Sequence, residues 1–180
     1  MKLLRTIRLD PSDTFVFERA AEPGEWAVPG GFAFAAVDAA RLEGKKRAAF
    51  RSGFLGIDSL GWSTLVQVVE ASEEDRAAAV ELLARRLVER FGAPRLEVAR
   101  AAAEEEIAFA ASISGHPKGM LLALARKHDN GDIREVFRTL APGIGAKPMR
   151  AFAVIDVAGE EDEGPVEEID LVALRDGGRS

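Results

Sequence analysis

Cysteine is absent from the 180 residues, and histidine occurs only twice, at His116 and His128. The first absence excludes disulfides, thiolate zinc sites, cysteine nucleophiles and cysteine-ligated iron–sulfur clusters. The second leaves too few imidazoles for a histidine-rich metal site, and Pro117 directly follows the first of the pair. No apolar run behind a basic head opens the chain, and no stretch approaches about 18 apolar residues, so neither an export signal nor a membrane span is expected. The expected location is cytoplasmic, with no membrane partner. Gly53, Gly56 and Gly61 do not make a phosphate loop, because they precede a strand pattern and lack the closing Lys-Ser or Lys-Thr. No cofactor or metal site is expected.

What is present describes a folded domain. Apolar residues make up 47% and charged residues 30%, with 24 basic against 30 acidic side chains and a net charge of −6. That balance repels a phosphate backbone and disfavours nucleic acid as a partner. The one concentrated basic stretch is Arg41, Lys45, Lys46, Arg47 and Arg51. It reads as the solvated face of a short helix, with an anion or RNA site as the rival.

The start, Lys2 to Leu9, alternates as a strand and ends at the turn cluster Asp10-Pro11-Ser12-Asp13. Thr14 to Glu18 reads as a second short strand, from its aromatic and β-branched residues. Trp26–Val28 and Phe32–Phe34 continue an antiparallel meander between Pro-Gly and Gly-Gly turns. A basic helix is expected over 44–54, a glycine-punctuated loop over 53–61, and a strongly apolar strand over 62–70.

Two consecutive helices follow, at about 73–91 and 94–113. Ser72 suits the N-cap, and Glu73, Glu74 and Asp75 occupy the first turn. Val80, Leu83, Ala84, Leu87, Val88 and Phe91 form one stripe, with Glu81 and Arg85 paired on the opposite face. Gly92 is placed as C′ and Pro94 in the next first turn. The second helix turns Leu96, Ala99, Ala103, Ile107, Ala110 and Ala111 inward.

Met120–His128 and Asp132–Thr139 flank Asn130-Gly131, a strong hairpin signal. A two-residue turn sets Arg126 against Glu135, Leu124 against Phe137, and Ala125 against Val136. A further strand pair is expected at 150–157 and 168–174. The result is an α+β single domain over 1–175. It has a mainly antiparallel sheet, two helices on one face, a C-terminal β-hairpin and a disordered tail at 176–180.

No residue pattern makes a recognisable catalytic constellation. Ser112, Ser114 and His116 lie close in sequence without a nucleophile elbow, so helix termination explains them. Glu104, Glu105 and Glu106 point about 100° apart and cannot act as one cluster. The acidic run at 160–163 lacks the alternating ligands of a calcium loop. Five residues remain as candidates for a pocket or interface. They are Trp26, in a short segment between turns, His116, the cross-strand pair Arg126 and Glu135 beside apolar neighbours, and His128 near the hairpin tip.

Two stretches carry a resemblance: Met1–Asp10 with Ser12–Phe17, and His116-Pro117 through Asp132 with Ile133–Leu140. Together they resemble a bacterial domain family of unknown function that spans essentially the whole chain. The family supplies no catalytic residues to carry over. Its members are encoded near genes for maturation of molybdenum-dependent dehydrogenases and near a biotin/lipoate-ligase-like protein. The resemblance implies an accessory role in enzyme or cofactor assembly. The expected function is therefore a non-enzymatic accessory protein that binds another protein or itself through free sheet edges. The alternative is a small-molecule binder or small enzyme with a pocket at the C-terminal hairpin.

Overall fold

A computed structural model describes residues 1–142 and 152–156, with side chains described as far as residue 140. The expected strands at 168–174 and the tail at 176–180 lie outside the described residues. The chain forms one α+β domain built on an antiparallel sheet of eight strands. The strands are β1 (Lys2–Ile7), β2 (Trp26–Val28), β3 (Phe54–Gly56), β4 (Trp62–Ser63), β5 (Leu65–Glu70), β6 (Leu121–Asp129), β7 (Asp132–Pro142) and β8 (Phe152–Asp156). Their order in the sheet is β4-β3-β2-β1-β5-β6-β7-β8. The helices are α1 (Ser12–Val16), α2 (Gly44–Ser52), α3 (Glu73–Arg90) and α4 (Leu96–Ile113).

The expected single strand over 62–70 serves two places in this sheet. Its first two residues pair with β3 and its last six with β1. Only Thr64 separates them, which requires the sheet to curl until its β4 edge comes back near β1. Ser63 braces the joint, donating to the carbonyls of Leu65 at 2.7 Å and Ile7 at 3.3 Å. That same β4 edge is not free: Arg19 and Ala21 exchange backbone hydrogen bonds with Trp62 at 2.9 Å.

Residue alternation decides which sheet face is inside. Leu4, Thr6, Val66, Val68, Leu122 and Leu124 are buried, while their neighbours Arg5, Ile7, Leu65, Gln67 and Ala123 are only half-buried. Helices α3 and α4 close the inner face through Val80, Leu83, Ala84, Ala99, Ala103, Ile107 and Ala110. The alanines let α4 approach its neighbours closely, and each fully buried Leu or Ile contributes about 1.5–3 kcal/mol. A second core joins Phe17, Phe34, Ala49 and Phe50 to Trp62 and Ile133.

Several local expectations are corrected. Residues 14–18 are not a strand, because 12–16 form α1. Its turn is set by Asp10 accepting the Ser12 amide at 2.8 Å and Thr14 donating to the Pro11 carbonyl at 2.6 Å. These start signals override the β preference of Thr, Phe and Val. Gly31–Phe34 form a 3₁₀ turn after Gly30, whose φ is +78°, so Phe32–Phe34 are not a strand. The presumed loop 53–61 contains β3, and α4 starts at Leu96 rather than at Pro94. Val88 and Phe91 leave the buried stripe and stay exposed. Glu81 holds Arg100 of α4 at 2.6 and 3.1 Å, whereas Arg85 reaches only the Glu81 carbonyl at 3.3 Å.

Other expectations hold. Ser72 and Asp75 form a reciprocal capping box, and Gly92 follows the α3 C-cap with φ +75°. The hairpin turns at Asn130-Gly131 in the expected register.

Two glycines separate backbone strain from steric clash. At Gly131, φ is +91° and nothing lies within 4 Å of an added Cβ, so Gly131→Ala should cost about 1 kcal/mol. At Gly30 an added Cβ would also sit 2.6 Å from the Leu55 Cβ. Urea denaturation should therefore show Gly30→Ala to be clearly the more damaging of the two.

Candidate functional site

Strand β6 carries Arg126 inward, in line with Leu122 and Leu124. Its side chain is wholly buried, which demands that the guanidinium be paired. Nε donates to Glu135 Oε1 at 2.8 Å, from the directly opposed position on β7. One terminal nitrogen donates to the Phe50 carbonyl at 2.8 Å and lies 3.5 Å from those of Ala49 and Gly53. The other donates to the Pro29 carbonyl at 2.6 Å. All three nitrogens are thus engaged by the chain itself. The Phe34 ring lies 5.5 Å from the guanidinium carbon.

The carbonyls of Ala49 and Phe50 belong to the last turn of α2, at the negative end of the helix dipole; Ala49 already accepts the Gly53 amide at 2.9 Å, and Phe50 accepts from Arg126. Arg126 reaches this helix end from a strand that follows some seventy residues later. Close approach is bought by small residues. An added Cβ at Gly53 would sit 2.8 Å from the Ala49 carbonyl oxygen, and one at Gly31 would sit 2.8 Å from Glu135 Oε1. Burial lowers the Arg126 pKa while Glu135 raises it, and the guanidinium stays charged.

A third ionisable residue feels the charges of this pair. Glu106 on α4 has its carboxyl pushed up to about 7, first by burial and then by the Glu135 charge, with Arg126 opposing. Glu104 instead pairs with Arg76 of α3, so the consecutive glutamates do part company as expected. Glu106 is not singled out by periodicity alone among three consecutive glutamates. Its position three residues after Ala103 and one before Ile107, on the edge of the inward stripe, was the available signal.

The other candidates do not join this cluster by any hydrogen bond among the described residues. Trp26 is half-buried against the main core, with the Arg5 guanidinium 3.7 Å above its ring. His116 contributes its backbone carbonyl to Lys2 Nζ at 2.8 Å. His128 is exposed, opposite Ile133 and two positions beyond Arg126. Ser112 and Ser114 donate to helix carbonyls, those of Phe109 at 2.7 Å and Ala110 at 2.6 Å, which explains both hydroxyls as helix-end groups.

Two further carboxylates were not singled out by sequence, and both bind the fold together. Glu25 accepts from the amides of Glu22, Asp58 and Ser59 at 2.8 Å and from the Ser59 hydroxyl at 2.5 Å. Buried Asp13 takes the Thr64 hydroxyl at 2.5 Å and its amide at 3.2 Å. Among the described residues no group of three acidic or histidine side chains could hold a metal ion. Two concavities lie away from Arg126. An open hollow of ≈ 470 Å³ is lined by Met1, Lys2, Glu70, Ala71 and Ser72, and one of ≈ 260 Å³ runs along Ile7, Leu9, Asp10 and Thr64.

A family model described as a family of unknown function, DUF6505, matches residues 1–159. The chain belongs to that family. Neither a curated protein nor a solved structure matches it. Membership covers all the elements that build the Arg126 cluster, from the Pro29 turn through α2 and α4 to the hairpin.

Arg126→Met strands the partly buried Glu135 and the Phe50 carbonyl, and should cost about 3–5 kcal/mol in chemical denaturation. Adding Glu135→Leu should recover part of that loss. Glu106 keeps its proton in the folded state up to about pH 7 but loses it near its ordinary 4.5 when unfolded. Its contribution to stability is therefore complete at low pH and falls as pH rises through that window. Glu106→Gln should remove this slope, gaining on the wild type by roughly 1 kcal/mol or more at pH 8 after solvent screening.

Proposed function

We propose that the chain is a non-enzymatic accessory protein that binds another protein, in the assembly of an enzyme or its cofactor. The observation that carries this reading is the way Arg126 is used. The most site-like cation in the chain gives all three nitrogens to Glu135 and to main-chain carbonyls, leaving none directed at a substrate. Ser114, Asp13 and Glu25 are likewise satisfied within the fold.

Support for a protein as the partner comes from the surface. Phe15 is 72% exposed, and Leu9 and Val16 at 54% and 40% lie in the same short stretch. Helix α1, which carries Phe15 and Val16, is held by the buried Phe17 beneath it and by the Asp13–Thr64 contact. An aromatic side chain carried on a held helix has few rotatable bonds to lose on docking, which suits an interface anchor. The resemblance of the opening and hairpin stretches supplies the assembly context.

Small-molecule binding or small-enzyme chemistry at the hairpin is the alternative. One observation favours it: Glu106, with a carboxyl near neutrality beside Glu135. It predicts a ligand-induced thermal shift that disappears in Glu106→Gln.

Phe15→Glu tests the leading reading. It should leave the melting temperature within a few degrees and reduce stoichiometric partner capture from native lysate about tenfold. A wild-type chain that is monomeric by light scattering and captures no stoichiometric partner would overturn it.

A further inference from the structure

Helix α2 breaks two local rules of charge placement. Its sequence, Gly-Lys-Lys-Arg-Ala-Ala-Phe-Arg-Ser, places Lys45, Lys46 and Arg47 in the first turn, where the helix dipole is positive and acidic residues are favoured. Helix α3 obeys the rule with Glu73, Glu74 and Asp75 in its first turn. Arg47 and Arg51 are also four apart, a like-charge spacing that destabilises a helix. All four cations are exposed.

Among the described residues, single cations without an ion pair, such as Arg90, Arg95 and Lys127, occur elsewhere; what sets these four apart is their clustering on one nine-residue helix. Arg41, Arg76, Arg86, Arg100, Arg126 and Arg134 each hold a carboxylate. Among the described residues no ion pair involves Lys45, Lys46, Arg47 or Arg51, in a chain with six more acidic than basic side chains. The basic end is also held at a defined angle. Ala49 and Phe50 are buried in the second core, and Arg126 grips the carbonyls at the far end of α2. Glu43 at the N-cap makes no ion pair with the four cations, and natural proteins break such local rules mainly at functional or strained sites.

We infer that the basic first turn of α2, together with Arg51 one turn further on, is a docking surface for an acidic segment of a partner protein. Nucleic acid fits it less well. The only aromatic residue of α2 is Phe50, which is buried, so no platform for base stacking stands among the cations. The net charge of −6 also opposes a polyphosphate over any longer range. Arg47 and Arg51 stack on the outer side of α2. Lys45 and Lys46 belong to its exposed first turn, four positions before the buried Ala49 and Phe50, so the cations are spread along and around the helix end rather than gathered at one point. That spread suits carboxylates distributed along a peptide better than a single compact anion.

This inference extends the interaction reading to a second surface, and its test does not depend on Phe15. The probe is a fluorescent peptide of about ten glutamates, followed by anisotropy with the full chain at about 0.05 M salt, where surface charges are weakly screened. Saturable binding is expected, weakening steeply by about 0.3 M salt. Lys46→Gln/Arg47→Gln should weaken binding about tenfold with an unchanged or raised melting temperature, since it removes cations from the positive helix end. The control Arg85→Gln/Arg90→Gln removes the same charge from exposed positions of α3 and should stay within about twofold of wild type. Absence of binding, equal loss in the control, or tighter binding of a single-stranded RNA of similar length would each overturn the proposal.

Discussion

The buried guanidinium of Arg126 is the contact through which the separate parts of this domain meet. A fully desolvated cation must find acceptors in every direction its nitrogens point. Here those acceptors come from the last turn of α2, the Pro29 turn and the opposing strand of the hairpin. Three chain segments distant in sequence, the Pro29 turn, α2 and the hairpin, are thereby fixed relative to one another. Without it the Phe50 and Pro29 carbonyls and the Glu135 carboxylate would each lose the Arg126 donor.

The surrounding structure accommodates that choice. Gly31 and Gly53 remove side chains where the carboxylate and the helix end must approach closely. Phe34, Phe50 and Trp62 exclude water around the same region, with the Phe34 ring 5.2 Å from Phe50 and 5.1 Å from Trp62. Glu106 meets the opposite constraint. It lies close enough to Glu135 that burial and like charge together favour its protonated form. One side of α4 thus carries a carboxyl sensitive to pH near neutrality, while Glu104 is held by Arg76.

Much of the architecture was legible because local signals agreed with the packing. The Ser72 box, the Gly92 stop and the inward stripe of α4 are helix-period or capping signals that tertiary structure merely completes. Asn130-Gly131 set a register that placed Arg126 against Glu135 correctly. The failures have one physical source. In 14–18, 32–34 and 53–61, short apolar or glycine-rich stretches carry no usable period, so turn hydrogen bonds and sheet curvature choose their conformation. The split of 62–70 between two positions in one curled sheet is a long-range property of that kind.

The candidate site divides in the same way. The two-residue turn and the alternation of β6 by themselves determined that Arg126 and Glu135 are cross-strand partners on an apolar face. Only the tertiary structure decided that the pair is buried and that its remaining acceptors are carbonyls of α2 and the Pro29 turn. It alone brought Glu106 alongside. Register is local, carried by a few covalently adjacent residues. Desolvation is not, because it depends on which distant segments cover a side chain, and that coverage turned a cross-strand pair into the junction of the fold.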